Sequence, residues 1–88
     1  MKLKQDYVLR QVADTWTVLP LGDAAVDFNG MLTLNHSGAM LWNVLEQGGT
    51  EKDLVEALTA EYDVDSQRAA ADVRKFLDVL RRAGCIEE

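Results

Sequence analysis

Phe28-Asn29-Gly30-Met31-Leu32-Thr33-Leu34-Asn35-His36-Ser37-Gly38-Ala39-Met40-Leu41-Trp42 is the stretch whose reading decides the fold. Asn29-Gly30 is a turn that tolerates positive φ. Met31 to Leu34 then reads as a strand, spanning about 13 Å at ~3.3 Å per residue. Asn35 caps a helix directly after it, and Leu34 and Ala39 take the positions of a hydrophobic staple. Turn, strand and helix follow one another with no linker. A strand this short buries little by itself, so its main chain matters more as a place where another chain can add a strand.

Upstream, Tyr7 to Val12 and Thr15 to Pro20 are short, roughly alternating and rich in β-branched or aromatic residues. In the second run Trp16 and Val18 face one way, and Thr15, Thr17 and Leu19 the other. Ala13-Asp14 between them reads as a two-residue hairpin loop. Pro20 cannot donate a ladder hydrogen bond and suits a strand end. Gly22 to Phe28 is a connector, with Ala24-Ala25-Val26 as a candidate helical turn.

Downstream, three helices each carry a start signal. The first presents Leu41, Trp42 and Leu45 on one face and stops at Gly48-Gly49. Thr50 caps the second, with Asp53 three residues on as in a capping box, and Leu54, Val55, Leu58 and Tyr62 on its apolar face. Asp65 caps the third, which runs to about Ala83 and stops at Gly84. Its buried stripe is Ala69, Val73, Phe76, Leu77 and Leu80. Only Asp63-Val64-Asp65 joins the last two helices, as in a helix-turn-helix unit. The expected fold class is therefore α+β, winged-helix-like: a three-stranded antiparallel sheet followed by three helices.

The 88 residues suit a single domain over 1–88, near the lower limit of size for a chain without staples. A hydrophobic fraction of 48% supports one modest core. Cys85 is the only cysteine, so a disulfide within the chain is excluded; it reads as a small apolar filler in a reducing compartment. No run approaches the ~18 apolar residues of a membrane span, and Lys2 and Lys4 surround only Leu3 rather than a signal-like apolar stretch. A cytoplasmic protein is expected.

Catalytic constellations are not found. His36 is the single histidine and falls in the first turn of a helix, where solvation explains it. One histidine and one cysteine do not make a structural zinc site. Gly48-Gly49 lacks the preceding strand and the spacing of a phosphate-binding loop. The reading is of a protein that is not an enzyme and needs neither cofactor nor metal.

Charge is unevenly divided. From Ser66 to Ala83, five basic residues stand against two acidic ones, so this helix carries +3 and the remainder −9, for a total of −6. Pairing within the helix accounts for much of this, Arg68 with Asp72 and then Arg74, Asp78 and Arg82 at four-residue spacing. A winged-helix DNA-binding transcription factor is the alternative reading, since the last helix of such a unit normally enters the major groove. Glu51, Asp53, Glu56, Glu61, Asp63 and Asp65 would lie beside the phosphates, however, and oppose the counterion release on which backbone binding depends. A purely structural or dimerising domain is a third reading.

Strand addition at the third strand fits better. Met31, Leu32, Thr33 and Leu34 would pair with an extended peptide, and the third helix would supply an adjacent groove. Around its wheel Asp72, Phe76, Val79 and Ala83 flank the buried stripe, with Lys75 beyond. Asp72 and Lys75 would read charge, while Phe76 and Val79 would hold apolar side chains unless they merely complete the core. An uncovered edge also admits a homodimer.

Phe28-Asn29-Gly30-Met31-Leu32-Thr33-Leu34-Asn35, the small pair Gly38-Ala39, Trp42, Thr50 and Tyr62-Asp63-Val64 together resemble the PqqD family. So does the closing pattern of Asp72-Val73, Phe76-Leu77, Leu80 and Gly84. The resemblance covers nearly the whole chain. It implies a peptide chaperone, or RiPP recognition element, that binds the leader region of a ribosomally made precursor peptide. It further implies that the leader adds a strand beside the third strand, packs on the third helix and is presented to a modifying enzyme, often a radical S-adenosylmethionine protein. On this chain those positions are Met31, Leu32, Thr33 and Leu34, with Asp72, Lys75, Phe76 and Val79. The Ala13-Asp14 turn lacks the glycine such hairpins often use. Leader-contacting side chains vary within the family, whose name refers to pyrroloquinoline quinone (PQQ) biosynthesis while many relatives serve other peptide pathways.

Overall fold

A computed structural model describes residues 2–22 and 32–87. The candidate turn at Ala24-Ala25-Val26, the Asn29-Gly30 turn and Met31 lie outside the described residues. Five strands and three helices are seen among the rest: β1 (Lys2–Leu3), β2 (Tyr7–Val12), β3 (Thr15–Pro20), β4 (Leu32–Leu34), α1 (His36–Glu46), α2 (Glu51–Glu61), α3 (Ser66–Ala83) and β5 (Ile86–Glu87).

The hairpin forms where the two alternating runs predict it. β2 and β3 pair antiparallel from Tyr7 opposite Pro20 to Val12 opposite Thr15, leaving Ala13-Asp14 as a two-residue loop. Ala13 takes φ 57°, the left-handed value that such a tight loop demands of its first residue and that glycine adopts most easily. β4 pairs on the other side of β3, with Trp16 opposite Leu34, Thr17 opposite Thr33 and Val18 opposite Leu32. The sheet order β2-β3-β4 leaves β4 at an edge among the described residues. Leu9, Val18 and Leu32 form one cross-strand row turned toward the helices, with Val18 fully buried. On the other face Thr17 is buried between Arg10 and Thr33.

Each helix starts on a side chain that satisfies its free amides. Asn35 Oδ1 accepts from Gly38 N at 2.8 Å and from Ser37 Oγ at 2.9 Å. Thr50 and Asp53 form the reciprocal box, Asp53 N donating to Thr50 Oγ1 at 3.2 Å and Thr50 N to Asp53 Oδ2 at 2.8 Å. Arg68 N donates to Asp65 Oδ1 at 2.7 Å. α3 ends in a Schellman turn: Gly84 sits at φ 78°, its N–H donates to Arg81 O, and Cys85 N donates to Leu80 O.

α2 packs against α3 across a four-residue link and against α1 on its other side in the chain. Trp42 is fully buried at the centre of the core, with Leu41 and Leu45 from the same helix, Leu54 and Leu58 from α2, and Val73, Leu77 and Leu80 from α3. Phe76, expected in the buried stripe, is only half-buried.

Two features depart from the sequence reading. β1 pairs antiparallel with β5, Leu3 opposite Ile86, and Lys4 N donates to Cys85 O at 2.9 Å. Two-residue strands contain no alternation to detect, yet this pair ties one end of the chain to the other and buries Leu3 and Ile86. On α3, Asp78 pairs with Arg81 at 3.3 Å rather than bridging Arg74 and Arg82. Positions three and four residues apart are both neighbours on a helix, so spacing alone does not select between them.

Candidate functional site

Asp72, Lys75, Phe76 and Val79 recur at intervals of three, one and three residues and so lie along one stripe of α3, beside the buried stripe. Opposite them, β4 runs into Asn35 and the first turn of α1 with no intervening loop. Between these two walls lies a groove of about 410 Å³, within the range of peptide and small-molecule sites. Thr33 and Leu34 line it from β4, and Asp72, Lys75, Phe76 and Val79 from α3. Six of the eight residues expected at the site therefore meet around one space.

The other two stand apart from it. Leu32 does not line the groove; its half-buried side chain packs against the core, while its main chain belongs to the edge strand. Met31 lies outside the described residues. Ala83, expected to flank the groove, packs against the core instead. It lies about two helical turns beyond Phe76 along α3.

Five further residues complete the groove: Asn35, Ser37, Gly38, Leu41 and Leu58. For Asn35, Ser37 and Gly38 the signal was present in the sequence, since a helix that starts directly after a strand must bring its first turn to that strand's end; Leu41 and Leu58 were legible only as core residues. Gly38 shows how close the approach is. A Cβ there would stand 3.2 Å from both Leu34 Cβ and Asn35 Oδ1, tighter than ordinary contact. A side chain at position 38 would require Leu34 or the Asn35 cap, both at the groove, to give by a few tenths of an ångström.

The groove is apolar at its floor and charged at its rim. Leu41 and Leu58 are almost fully buried, whereas Val79 is 42% exposed and offers apolar surface on the groove wall. Asp72 Oδ2 lies 3.5 Å from Arg68 Nε, and both side chains are well exposed. Such a pair contributes little to folding, so its carboxylate can be redirected to a ligand at small cost. Lys75 is exposed on the next turn. Asn35 Oδ1, by contrast, is committed to the helix cap.

The edge itself supplies the remaining chemistry. Every second residue of an edge strand turns its N–H and C=O away from its single partner. An extended chain beside β4 would satisfy those groups while its side chains alternate toward and away from the groove.

Titratable groups elsewhere do not enter this space. His36 lines a separate hollow with Trp16, Met40 and Glu61. Cys85 is fully buried below β1, and burial pushes its thiol up from 9.0 to about 11, with the Lys4 ammonium pulling weakly the other way. Among the described residues no three His, Cys, Asp or Glu side chains are placed to hold a metal ion, and no helix is long and apolar enough to cross a membrane.

Comparison with known proteins agrees with this geometry. The profile of a family described as "Coenzyme PQQ synthesis protein D (PqqD)" matches residues 15–86. A solved structure described as "TbiB1 in Complex with the TbiA(beta) Leader Peptide" superposes with a TM-score of 0.81 at 29% identity, covering 99% of this chain and 95% of that one. A second, "Lasso peptide synthetase B1 complexed with the leader peptide", gives 0.79 at 22% identity, covering 99% and 96%; at that identity it speaks for the fold. No curated protein matches the sequence.

Proposed function

The chain belongs to the PqqD family, and from that footing we propose that it is a leader-peptide-binding module, a RiPP recognition element. It captures the leader region of a ribosomally made precursor by adding that leader as a strand beside β4. The observation that carries this reading is the juxtaposition of an edge strand with an apolar-floored, charge-rimmed groove. The structural neighbour at 29% identity was solved with a leader peptide bound, which supports the same use of this fold.

The division of labour follows from the chemistry of each wall. Main-chain groups of Met31 to Leu34 provide affinity that any extended peptide can claim. Phe76 and Val79 with the Leu41–Leu58 floor select apolar side chains, and Asp72 and Lys75 select charge. The protein performs no chemistry on the peptide; it holds the leader extended and presents the precursor to a modifying enzyme, of radical S-adenosylmethionine type or similar, in the cytoplasm. A second copy of the chain, pairing edge to edge, would compete with the leader for β4.

The test is to search the genomic neighbourhood for a short precursor gene and to measure its synthetic leader peptide by calorimetry. A neighbourhood with neither a precursor nor a modifying enzyme favours a purely structural or dimerising domain instead. Val79→Glu places a charge on the groove wall, and Leu32→Pro removes a main-chain donor from the edge strand. Val79→Glu is expected to weaken binding at least tenfold and Leu32→Pro to abolish it, with melting curves recorded to confirm that each variant folds. Parent-like affinity in a folded Val79→Glu protein rules the mechanism out, whatever Leu32→Pro does.

A further inference from the structure

Tyr62 and Val64 flank Asp63 in the link between α2 and α3, and both are half-buried. Polar turn residues would serve a link alone. Instead these two line a second hollow of about 190 Å³ together with Ser37, Leu58 and Asp72. The last three also line the groove, so the two spaces adjoin there. Along α3 the order is Val79, Lys75, Asp72, then the hollow beyond. At ~1.5 Å per residue, Val79 and Asp72 are about 10 Å apart, the length of some three residues of extended peptide.

Building on the peptide-binding reading, we infer that this hollow is a side-chain pocket for the same leader. It takes one aliphatic or phenyl side chain from the residues that follow or precede the strand-paired stretch. An apolar cavity of ~150 Å³ is known to hold a benzene ring, so the space fits a group of that size. Tyr62, Val64 and Leu58 provide the apolar contact. Asp72 stands at the junction between the two spaces. An ionised carboxylate only accepts hydrogen bonds, so it receives an N–H of the peptide where the chain leaves the edge of β4. The same charge excludes an aspartate or glutamate from the pocket. The leader is thereby read in two places, by main-chain pairing along β4 and by one anchored apolar residue beyond Asp72.

The test begins with random peptides displayed on phage and selected against the full chain. A selected peptide is then measured by calorimetry against the parent, Val64→Phe and Val79→Glu. Val64→Phe fills the hollow with an apolar ring and leaves β4 untouched. It is expected to weaken binding about ten- to a hundredfold, the value of one buried apolar side chain. Alanine at the peptide's anchoring residue should weaken the parent equally and Val64→Phe no further. In parallel, the Tyr62 ring and Val64 methyl resonances of the parent should shift when the peptide is added. Parent-like affinity of Val64→Phe, additive losses, or unmoved Tyr62 and Val64 resonances overturn the pocket; where Val79→Glu still abolishes binding, the groove reading survives that result. Parent-like affinity of Val79→Glu overturns both together.

Discussion

Val79 and Cys85 illustrate how burial divides the residues of this small chain between binding and stability. Val79 leaves much of its apolar surface open on the wall of the groove, and its replacement by glutamate is expected to spare folding while weakening peptide capture. Cys85 is the opposite case, a thiol held in its neutral form by the core. In the unfolded chain it ionises near 9.0, in the folded protein near about 11. Between those values the unfolded state binds fewer protons than the native one, so stability falls as pH rises through that window. The loss is on the order of 2 kcal/mol at its upper end. Urea titrations across this range should show a steeper decline for the parent than for Cys85→Ala, and parallel declines would remove the thiol as the cause. At this scale the sequence was informative where a residue's role is packing, as for Leu41, Trp42, Leu45 and Cys85. It was less so for Phe76, whose helical position on the border of the stripe is compatible with core and groove alike.

Among the elements, the helices were legible because each start is encoded by one side chain, Asn35, Thr50 or Asp65, and each stop by a glycine or a turn. The hairpin was legible from two alternating runs even though its loop chemistry is unfavourable. Ala13 holds a conformation that costs an L-residue roughly 1–2 kcal/mol and that glycine adopts freely. Ala13→Gly is therefore expected to raise stability by about 0.5–1 kcal/mol, net of the extra backbone entropy that glycine loses on folding. Thermal melting checks this, and a lowered midpoint would show that the loop is not under strain. β4 is the shortest strand of its sheet and the one on which function is proposed to rest. Its place at the edge was not readable from Leu32-Thr33-Leu34 alone, because strand order depends on which partners remain after the hairpin has paired. What could be read was the absence of a linker before Asn35, and that proximity places Ser37 and Gly38 at the groove.

Across the whole molecule, the pairing of β1 with β5 closes the fold by joining residues more than eighty positions apart. Nothing local in Lys2-Leu3 or Ile86-Glu87 announces it, and only the finished α3, ending in its Schellman turn, directs Cys85 and Ile86 back to meet Leu3. The excess positive charge of α3 against an otherwise acidic chain is likewise a property of the whole. It leaves Lys75 on one rim of the groove while the α2 face carries its acids into solvent, away from the proposed peptide. The claim on which all of this turns is that the unpaired side of β4 receives a leader strand. Backbone amide hydrogen exchange, followed by NMR with and without the precursor's leader peptide, addresses it directly. Strand addition predicts that an amide within Leu32–Leu34 that exchanges rapidly in the free protein becomes strongly protected in the complex, with intermolecular contacts to the peptide backbone. Unchanged exchange along β4 at saturating peptide, with protection appearing elsewhere on the surface, would contradict it.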